Sequence, residues 1–146
     1  MLEERYALLI EDDHVDARRF KRALSDLGFS IPIVHAKNLQ EAYKVLTEAD
    51  HLPFLIVLDL YNSEEDGMDF LQSLKETPAL KTIPVVVLSE FGNWADILRC
   101  FQLNLAGYML KPHDGPHYRE TIKTMMEYWQ LSESPMKYVS TSIETV

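Results

Sequence analysis

The sequence holds a single cysteine, Cys100. No internal disulfide framework can form, and the scarcity fits a reducing compartment. Basic residues are also few: 14 Lys and Arg stand against 23 Asp and Glu, a formal charge of −9. Proteins that grip nucleic-acid backbones gain affinity from clustered Lys and Arg, so this balance argues against nucleic acid as a direct partner. No apolar run approaches the roughly 20 residues of a membrane span. The opening stretch MLEERYALLIEDD places acids ahead of a short apolar run, with no basic leader and no small-residue cleavage pattern. The expectation is a cytoplasmic protein that does not engage a membrane. There is no internal repeat and no sign of a second domain. A chain of 146 residues, 47% hydrophobic and 25% charged, is expected to form one core.

What the chain does have is five apolar runs at similar spacing: YALLI (6–10), IPIVHA (31–36), FLIVL (54–58), IPVVVLS (83–89) and LAGYML (105–110). Continuous aliphatic runs, as opposed to alternating ones, mark strands buried on both faces of a parallel sheet. Helical spacing lies between them. Phe20, Ala23, Leu24 and Leu27 form one stripe, with Gly28 where a left-handed C-terminal cap belongs. Asn38 and Glu41 form a capping box ahead of Ala42, Val45, Leu46 and Ala49. Met68, Leu71 and Leu74 precede Pro78, and Ile97, Leu98, Phe101 and Leu105 follow Asn93. A last helix is expected from about Asp114 to about Gln130, with Ile122, Met125, Met126 and Trp129 inward. Parallel strands need crossovers, so five strands alternating with five helices predict an open, doubly wound, flavodoxin-like α/β sheet of strand order 2-1-3-4-5. Residues 1–131 make this domain, and the Ser/Thr-rich 132–146 is read as a C-terminal extension.

In such folds the chemistry sits where the strands end. Strand one runs into Glu11-Asp12-Asp13, strand three into Asp59, strand four into Ser89, and strand five into Lys111-Pro112. Carboxylates gathered beside Asp59 repel one another unless they share a proton or a cation. Magnesium suits them, because it binds through a few carboxylates and leaves room for phosphate oxygens. Asp59 is then placed to attack phosphorus, with the metal, Lys111 and the Ser89 hydroxyl each taking one oxygen of the transferring group.

With those stretches in order, namely LLIEDD (8–13), FLIVLDL (54–60) with EDG (65–67), IPVVVLS (83–89) and AGYMLKP (106–112), the sequence resembles the receiver domains of two-component response regulators. The likeness spans roughly residues 5–130 and is greatest to stand-alone receivers that serve phytochrome-type sensor histidine kinases. The resemblance implies that Asp59 accepts a phosphoryl group from a kinase phosphohistidine. It implies a magnesium site of Glu11, Asp12, Asp59 and the Tyr61 backbone carbonyl, with Asp12 and Asp13 as the pair one residue on. It further implies that Lys111 pairs with the phosphoryl group across a cis bond to Pro112. Ser89 and Tyr108 are the implied switch pair, and the fourth helix, fifth strand and fifth helix the face for a downstream protein or a homodimer. One departure is the polar Asn62-Ser63 where the family carries an apolar residue and a proline. Another is the bulk of Tyr61 and Phe91, expected to screen an acyl phosphate from water.

Each residue alone has a plainer reading. The 11–13 acids could cap a helix, Ser89 could be a turn residue, and Lys111 a surface lysine. Their co-occurrence at strand ends decides otherwise. The five histidines lack metal-ligand spacing and are expected at the surface, Cys100 is expected to be buried and inert, and Trp94, Phe101 and Trp129 are expected to pack. The alternative function is an aspartate-nucleophile phosphatase acting on small phosphate esters. Such an enzyme places a second acid two residues after its nucleophile, where this chain has Tyr61. A flavin-binding domain would need a hydroxyl-rich phosphate loop after strand one, where acids stand.

Overall fold

The computed structural model describes residues 5–61 and 66–135. Strands β1 (Ala7–Ile10), β2 (Ile33–Ala36), β3 (Leu55–Leu58), β4 (Val85–Ser89) and β5 (Gly107–Leu110) alternate with helices α1 (His14–Asp26), α2 (Leu39–Glu48), α3 (Gly67–Glu76), α4 (Trp94–Gln102) and α5 (Gly115–Leu131). The strands form one parallel sheet in the order β2-β1-β3-β4-β5. Because successive side chains leave opposite faces of a strand, Leu8, Ile10, Ile56, Leu58, Val85 and Val87 enter one core, against Ala42 and Leu46 of α2, Leu71 and Leu74 of α3, and Cys100 of α4. Ala7, Leu9, Leu55, Val57, Val86 and Leu88 enter the other, against Phe20 and Leu24 of α1 and Ile122 and Met126 of α5. β1, β3 and β4 are buried along their whole length, which is why their sequences are apolar without alternation.

The helix ends follow from local chemistry. Asp13 caps α1 by accepting from the N–H groups of Val15 (2.7 Å) and Asp16 (3.2 Å). At the other end Gly28 takes φ +82°. Its N–H donates to Ser25 O at 3.1 Å while that of Phe29 donates to Leu24 O at 2.9 Å, a Schellman closure. Asn38 accepts from Glu41 N–H at 2.8 Å, but the return bond from the Glu41 carboxylate reaches the N–H of Lys37, not of Asn38. The box therefore closes one residue upstream of its expected place.

Three expectations need correction. Ala49 is the exposed C-cap of α2 and does not line the core. On α4 only Cys100 is fully buried, whereas Leu98 and Phe101 are exposed and Trp94 is 75% exposed. Helical spacing showed that the helix has an apolar face, but not that this face meets solvent. Finally, no peptide bond among the described residues is cis. The Lys111–Pro112 bond is trans, the isomer that an X–Pro amide favours by default, and Arg19 Nη2 donates to the carbonyls of Pro112 and His113, at 3.3 Å each. Asn62 and Ser63, like residues 136–146 of the tail, lie outside the described residues; α5 ends at Leu131 with Ser132 as its C-cap.

Candidate functional site

Parallel register brings the strand ends to one edge. Ile10 lies opposite Leu58, and Ser89 opposite Leu110. The ladder then continues one step past each strand: Glu11 N–H donates to Ala36 O (3.1 Å), Asp59 N–H to Ile10 O (3.0 Å) and Lys111 N–H to Ser89 O (2.8 Å). The three functional backbones are thus held by the sheet itself. Such rigidity is what a charge-handling site requires.

The side chains converge accordingly. Lys111 Nζ donates to Glu11 Oε1 at 2.8 Å, Asp16 Oδ2 at 3.0 Å and Asp59 Oδ2 at 3.3 Å. Ser89 Oγ donates to the other Asp59 oxygen, Oδ1, at 2.8 Å, and itself accepts from Leu60 N–H at 3.1 Å. Tyr61 N–H also points to Asp59 Oδ1, at 3.3 Å. Glu11 and Lys111 are buried, with only 4% of each side chain exposed, whereas 13% of the Asp59 side chain meets solvent. The carboxylate is held by Lys111 and Ser89 and remains partly open to solvent.

Electrostatics follow from that burial. Desolvation pushes Glu11 up to about 7, helped by the neighbouring charge of Asp59 and opposed by the hydrogen bond from Lys111. Burial alone would lower Lys111, yet the hydrogen bond it donates to Glu11 and the charges of Asp59 and Glu11 outweigh it, and its pKa lies above the ordinary lysine value. The ammonium is therefore permanent at neutral pH. One cation serves three carboxylates, and the surplus is negative.

Glu11, Asp12 and Asp59 each offer an oxygen, all within 4.8 Å of one another. An all-oxygen set of this size, with an excess of negative charge, fits a hard divalent cation. Asp13 is occupied at the cap of α1, so of the two possible acidic pairs the geometry gathers Glu11 and Asp12. The helix-capping reading of the acidic run holds for Asp13 and not for its two predecessors. Asp16 was missed by sequence reasoning: it belongs to no strand end, and only the turn of α1 swings it back onto Lys111.

The remaining candidates lie around this centre. Tyr108 is half-buried and its Oη donates to Phe91 O at 2.9 Å. It fills the space above Gly92, where an added Cβ would collide with its hydroxyl. Tyr61 and Phe91 stack with ring centroids 4.3 Å apart and planes 15° from parallel. Cys100 is buried with its Sγ 4.0 Å from Met68 Sδ, and burial pushes the thiol up to about 11, far from reactive. His14, His113 and His117 are exposed, but His35 and His51 are half-buried. His35 Nε2 lies 2.7 Å from Glu11 O, so this ring is a backbone brace behind the acidic cluster.

Comparison with known proteins agrees with this fold. Residues 7–123 match the model of the response regulator receiver domain. The chain is 32% identical over 126 residues to the probable methanogenesis regulatory protein FilR2 of Methanothrix harundinacea, covering 84% of this chain and 81% of that protein. It is 27% identical over 127 residues to the response regulator Rcp1 of Synechocystis, covering 84% and 86%. Among solved structures, the phosphorylated cyanobacterial phytochrome response regulator RcpA superposes with a TM-score of 0.82 at 30% identity, over 90% of this chain and 98% of that one. The Mn2+-bound form of Rcp1 gives 0.82 at 26% identity, over 90% and 99%.

Proposed function

The chain belongs to the response regulator receiver domain family of two-component signalling, and from that membership we propose that Asp59 is its phosphoacceptor, charged by the phosphohistidine of a sensor histidine kinase. The observation that carries this is the carboxylate's setting: Lys111 Nζ on Oδ2 at 3.3 Å, Ser89 Oγ on Oδ1 at 2.8 Å, and Glu11 and Asp12 oxygens within 4.8 Å. An Asp59 oxygen attacks phosphorus, the P–N bond breaks, and its electron pair returns to the imidazole, leaving a mixed anhydride on Asp59. Lys111 balances charge on the arriving group. The Ser89 hydroxyl, now on Asp59, exchanges that acceptor for a phosphoryl oxygen.

Receiver domains bind Mg2+ or Mn2+ at an acidic cluster, and here we assign Mg2+ to Glu11, Asp12, Asp59 and the Tyr61 carbonyl. A cation held there would supply neutralising charge, so that a dianionic phosphoryl group can approach carboxylates. Movement of Ser89 gives Tyr108 a reason to leave Phe91 O and turn inward, a two-state change. Its readout is the exposed apolar surface of Trp94, Leu98, Phe101 and Leu110 on α4 and β5, offered to a downstream protein or a second copy of the chain. The phytochrome context of RcpA favours a phytochrome-type kinase as donor. The receiver is taken as residues 1–131, with 132–146 as an extension.

The test is intact mass after incubation with acetyl phosphate and Mg2+. One phosphoryl adduct that accumulates in the native protein and is lost in Asp59→Asn is expected. Rapid consumption of donor with no adduct would favour the phosphatase alternative, and an adduct that survives Asp59→Asn would overturn the assignment. Against the phosphatase stands Tyr61, in the place of a proton-donating acid, with its hydroxyl committed to Asp96 at 2.6 Å.

A further inference from the structure

A lysine ammonium has three N–H bonds to give, and in Lys111 each has an acceptor: Glu11 Oε1 at 2.8 Å, Asp16 Oδ2 at 3.0 Å and Asp59 Oδ2 at 3.3 Å. Two of these acceptors are altered by the reaction. Glu11 and Asp59 stand with Asp12 in the group whose oxygens lie within 4.8 Å of one another, so a divalent charge at that point draws on both and repels the ammonium. Asp59 also gives up its negative charge when one of its oxygens bonds to phosphorus. Asp16 lies outside that group. Its carboxylate is the one acceptor of Lys111, among the described residues, whose charge phosphotransfer leaves alone.

Asp16 is also well placed to keep its hold. It sits in the first turn of α1, where the helix dipole favours a carboxylate, and its N–H donates to Oδ1 of the N-cap Asp13 at 3.2 Å. Lys111 is its only ion-pair partner among the described residues. Arg19, one turn on, does not compete, because its guanidinium lies over the Tyr118 ring and donates to the carbonyls of Pro112 and His113. The Lys111 backbone is fixed from the other side by its bond to Ser89 O at 2.8 Å, which leaves the flexible four-carbon stem as the free part. Where the ammonium points is thus decided by what holds it.

We propose that Asp16 is a positioning residue for phosphotransfer, anchoring the Lys111 ammonium beside Asp59 so that it meets the incoming phosphoryl oxygens already aimed. Asp16 acts through Lys111 and does not touch the transferring group. This inference rests on Asp59 being the phosphoacceptor. The Asp16 charge also repels an anionic donor, but 23% of its side chain is exposed and the contact with Lys111 offsets it, so its reach through solvent is screened. Positioning outweighs repulsion, since misplacing a charge-handling group by even an ångström is costly in rate.

The test is the rate of acetyl phosphate labelling at saturating Mg2+, followed by intact mass in the native protein, Asp16→Ala, Asp16→Asn and Asp16→Glu, with Mn2+ affinity measured calorimetrically on each. Asp16→Asn keeps the size of the side chain and one acceptor oxygen, so the test stands even if Asp16→Ala does not fold. Labelling should slow about tenfold in the Ala and Asn variants while Mn2+ affinity stays within about twofold of native. Asp16→Glu, which restores the charge, should recover most of the rate. A side chain that only stabilised the fold would shift urea unfolding and leave the rate of the folded protein unchanged. Unchanged labelling in Asp16→Asn therefore overturns the proposal, and faster labelling overturns it by marking Asp16 as a repelling charge. An equal fall in Mn2+ affinity would place Asp16 in the metal site and overturn it too, as would a Glu variant no faster than Asn. Failure of the native protein to label would refute the phosphoacceptor reading itself, whereas a labelled native protein with unaffected variants refutes only the role of Asp16.

Discussion

Tyr61 Oη donates to Asp96 Oδ2 at 2.6 Å, tying the loop that follows Asp59 to the first turn of α4. Asn93 Nδ2 reaches the same oxygen at 3.0 Å, and the Asp96 N–H is in turn capped by Asn93 Oδ1 at 2.8 Å. Burial and this acceptor push the phenol above its ordinary pKa, so it stays a donor at any physiological pH. The Tyr61 ring also stacks on Phe91, whose carbonyl holds Tyr108. A displacement at residue 61 therefore reaches α4 by one bond and the β4–α4 loop by one stack.

Removing the two rings should shorten the life of the phosphoryl adduct. Tyr61→Ala and Phe91→Ala each open the approach to Asp59 and should speed hydrolysis several-fold, read by intact mass after donor removal. Tyr61→Phe keeps the stack and loses only a charge-assisted hydrogen bond at a partly exposed site, about 1 kcal/mol. It should hydrolyse near the native rate. Lifetimes in Tyr61→Ala and Phe91→Ala equal to that of the native protein would show that the rings do not screen the anhydride.

Lys111→Met should be strongly destabilising, because it leaves Glu11, Asp59 and Asp16 without their shared cation. Loss of one partner from a buried ionic cluster costs about 3–5 kcal/mol. Glu11 already sits at about 7, above its unfolded value, so its charged form opposes folding once pH exceeds the unfolded pKa, and protonation relieves this. The variant's deficit should therefore shrink as pH falls from 8 to 5, and should also shrink at neutral pH when Mg2+ is added. Urea unfolding measures both; a deficit independent of pH and metal would refute the ionic account.

Much of this arrangement was legible in the sequence because strand ends are marked twice, by where an apolar run stops and by what residue stops it. Glu11, Asp59, Ser89 and Lys111 are all of that kind. Asp16 was not legible, since its role depends on the turn of α1 bringing a helix residue back over Lys111. The trans Lys111–Pro112 bond was not legible either, because an X–Pro sequence does not by itself fix the isomer. On α4 the helical period identified an apolar stripe correctly, but periodicity carries no information about which stripe the sheet covers. Leu98 and Phe101 of that stripe are exposed.

The N-terminal end of α5 gives a pH dependence with a definite sign. His117 Nδ1 lies 2.7 Å from Asp114 Oδ1, and both residues are exposed. The hydrogen bond that His117 donates to Asp114 raises His117 above 6.5 and lowers Asp114 below 3.8. The histidine's contribution is complete below 6.5 and lost as pH rises through its raised value; the aspartate's is complete above 3.8 and lost as pH falls through its lowered one. The pair therefore helps most between those limits. NMR titration should find the His117 midpoint above that of an ordinary histidine, falling in Asp114→Asn; an unshifted midpoint would show the contact does not persist in solution.

Asp12 and Asp13 are adjacent acids with separable tasks, and one pair of substitutions distinguishes them. Asp13 accepts two N–H bonds at the start of α1, so Asp13→Ala should lower stability by about 1 kcal/mol and leave divalent-cation affinity nearly intact. Asp12 lies with Glu11 and Asp59, so Asp12→Ala removes one of three carboxylates facing a common point. It should weaken Mg2+ or Mn2+ binding by tenfold or more, since second-row charges cannot replace a direct oxygen ligand. Calorimetric titration with Mn2+ and urea unfolding in chelator provide the two axes. If Asp13→Ala weakened cation binding as much as Asp12→Ala does, the pair would be Asp12 and Asp13, and Glu11 would be left as a buried partner of Lys111 alone.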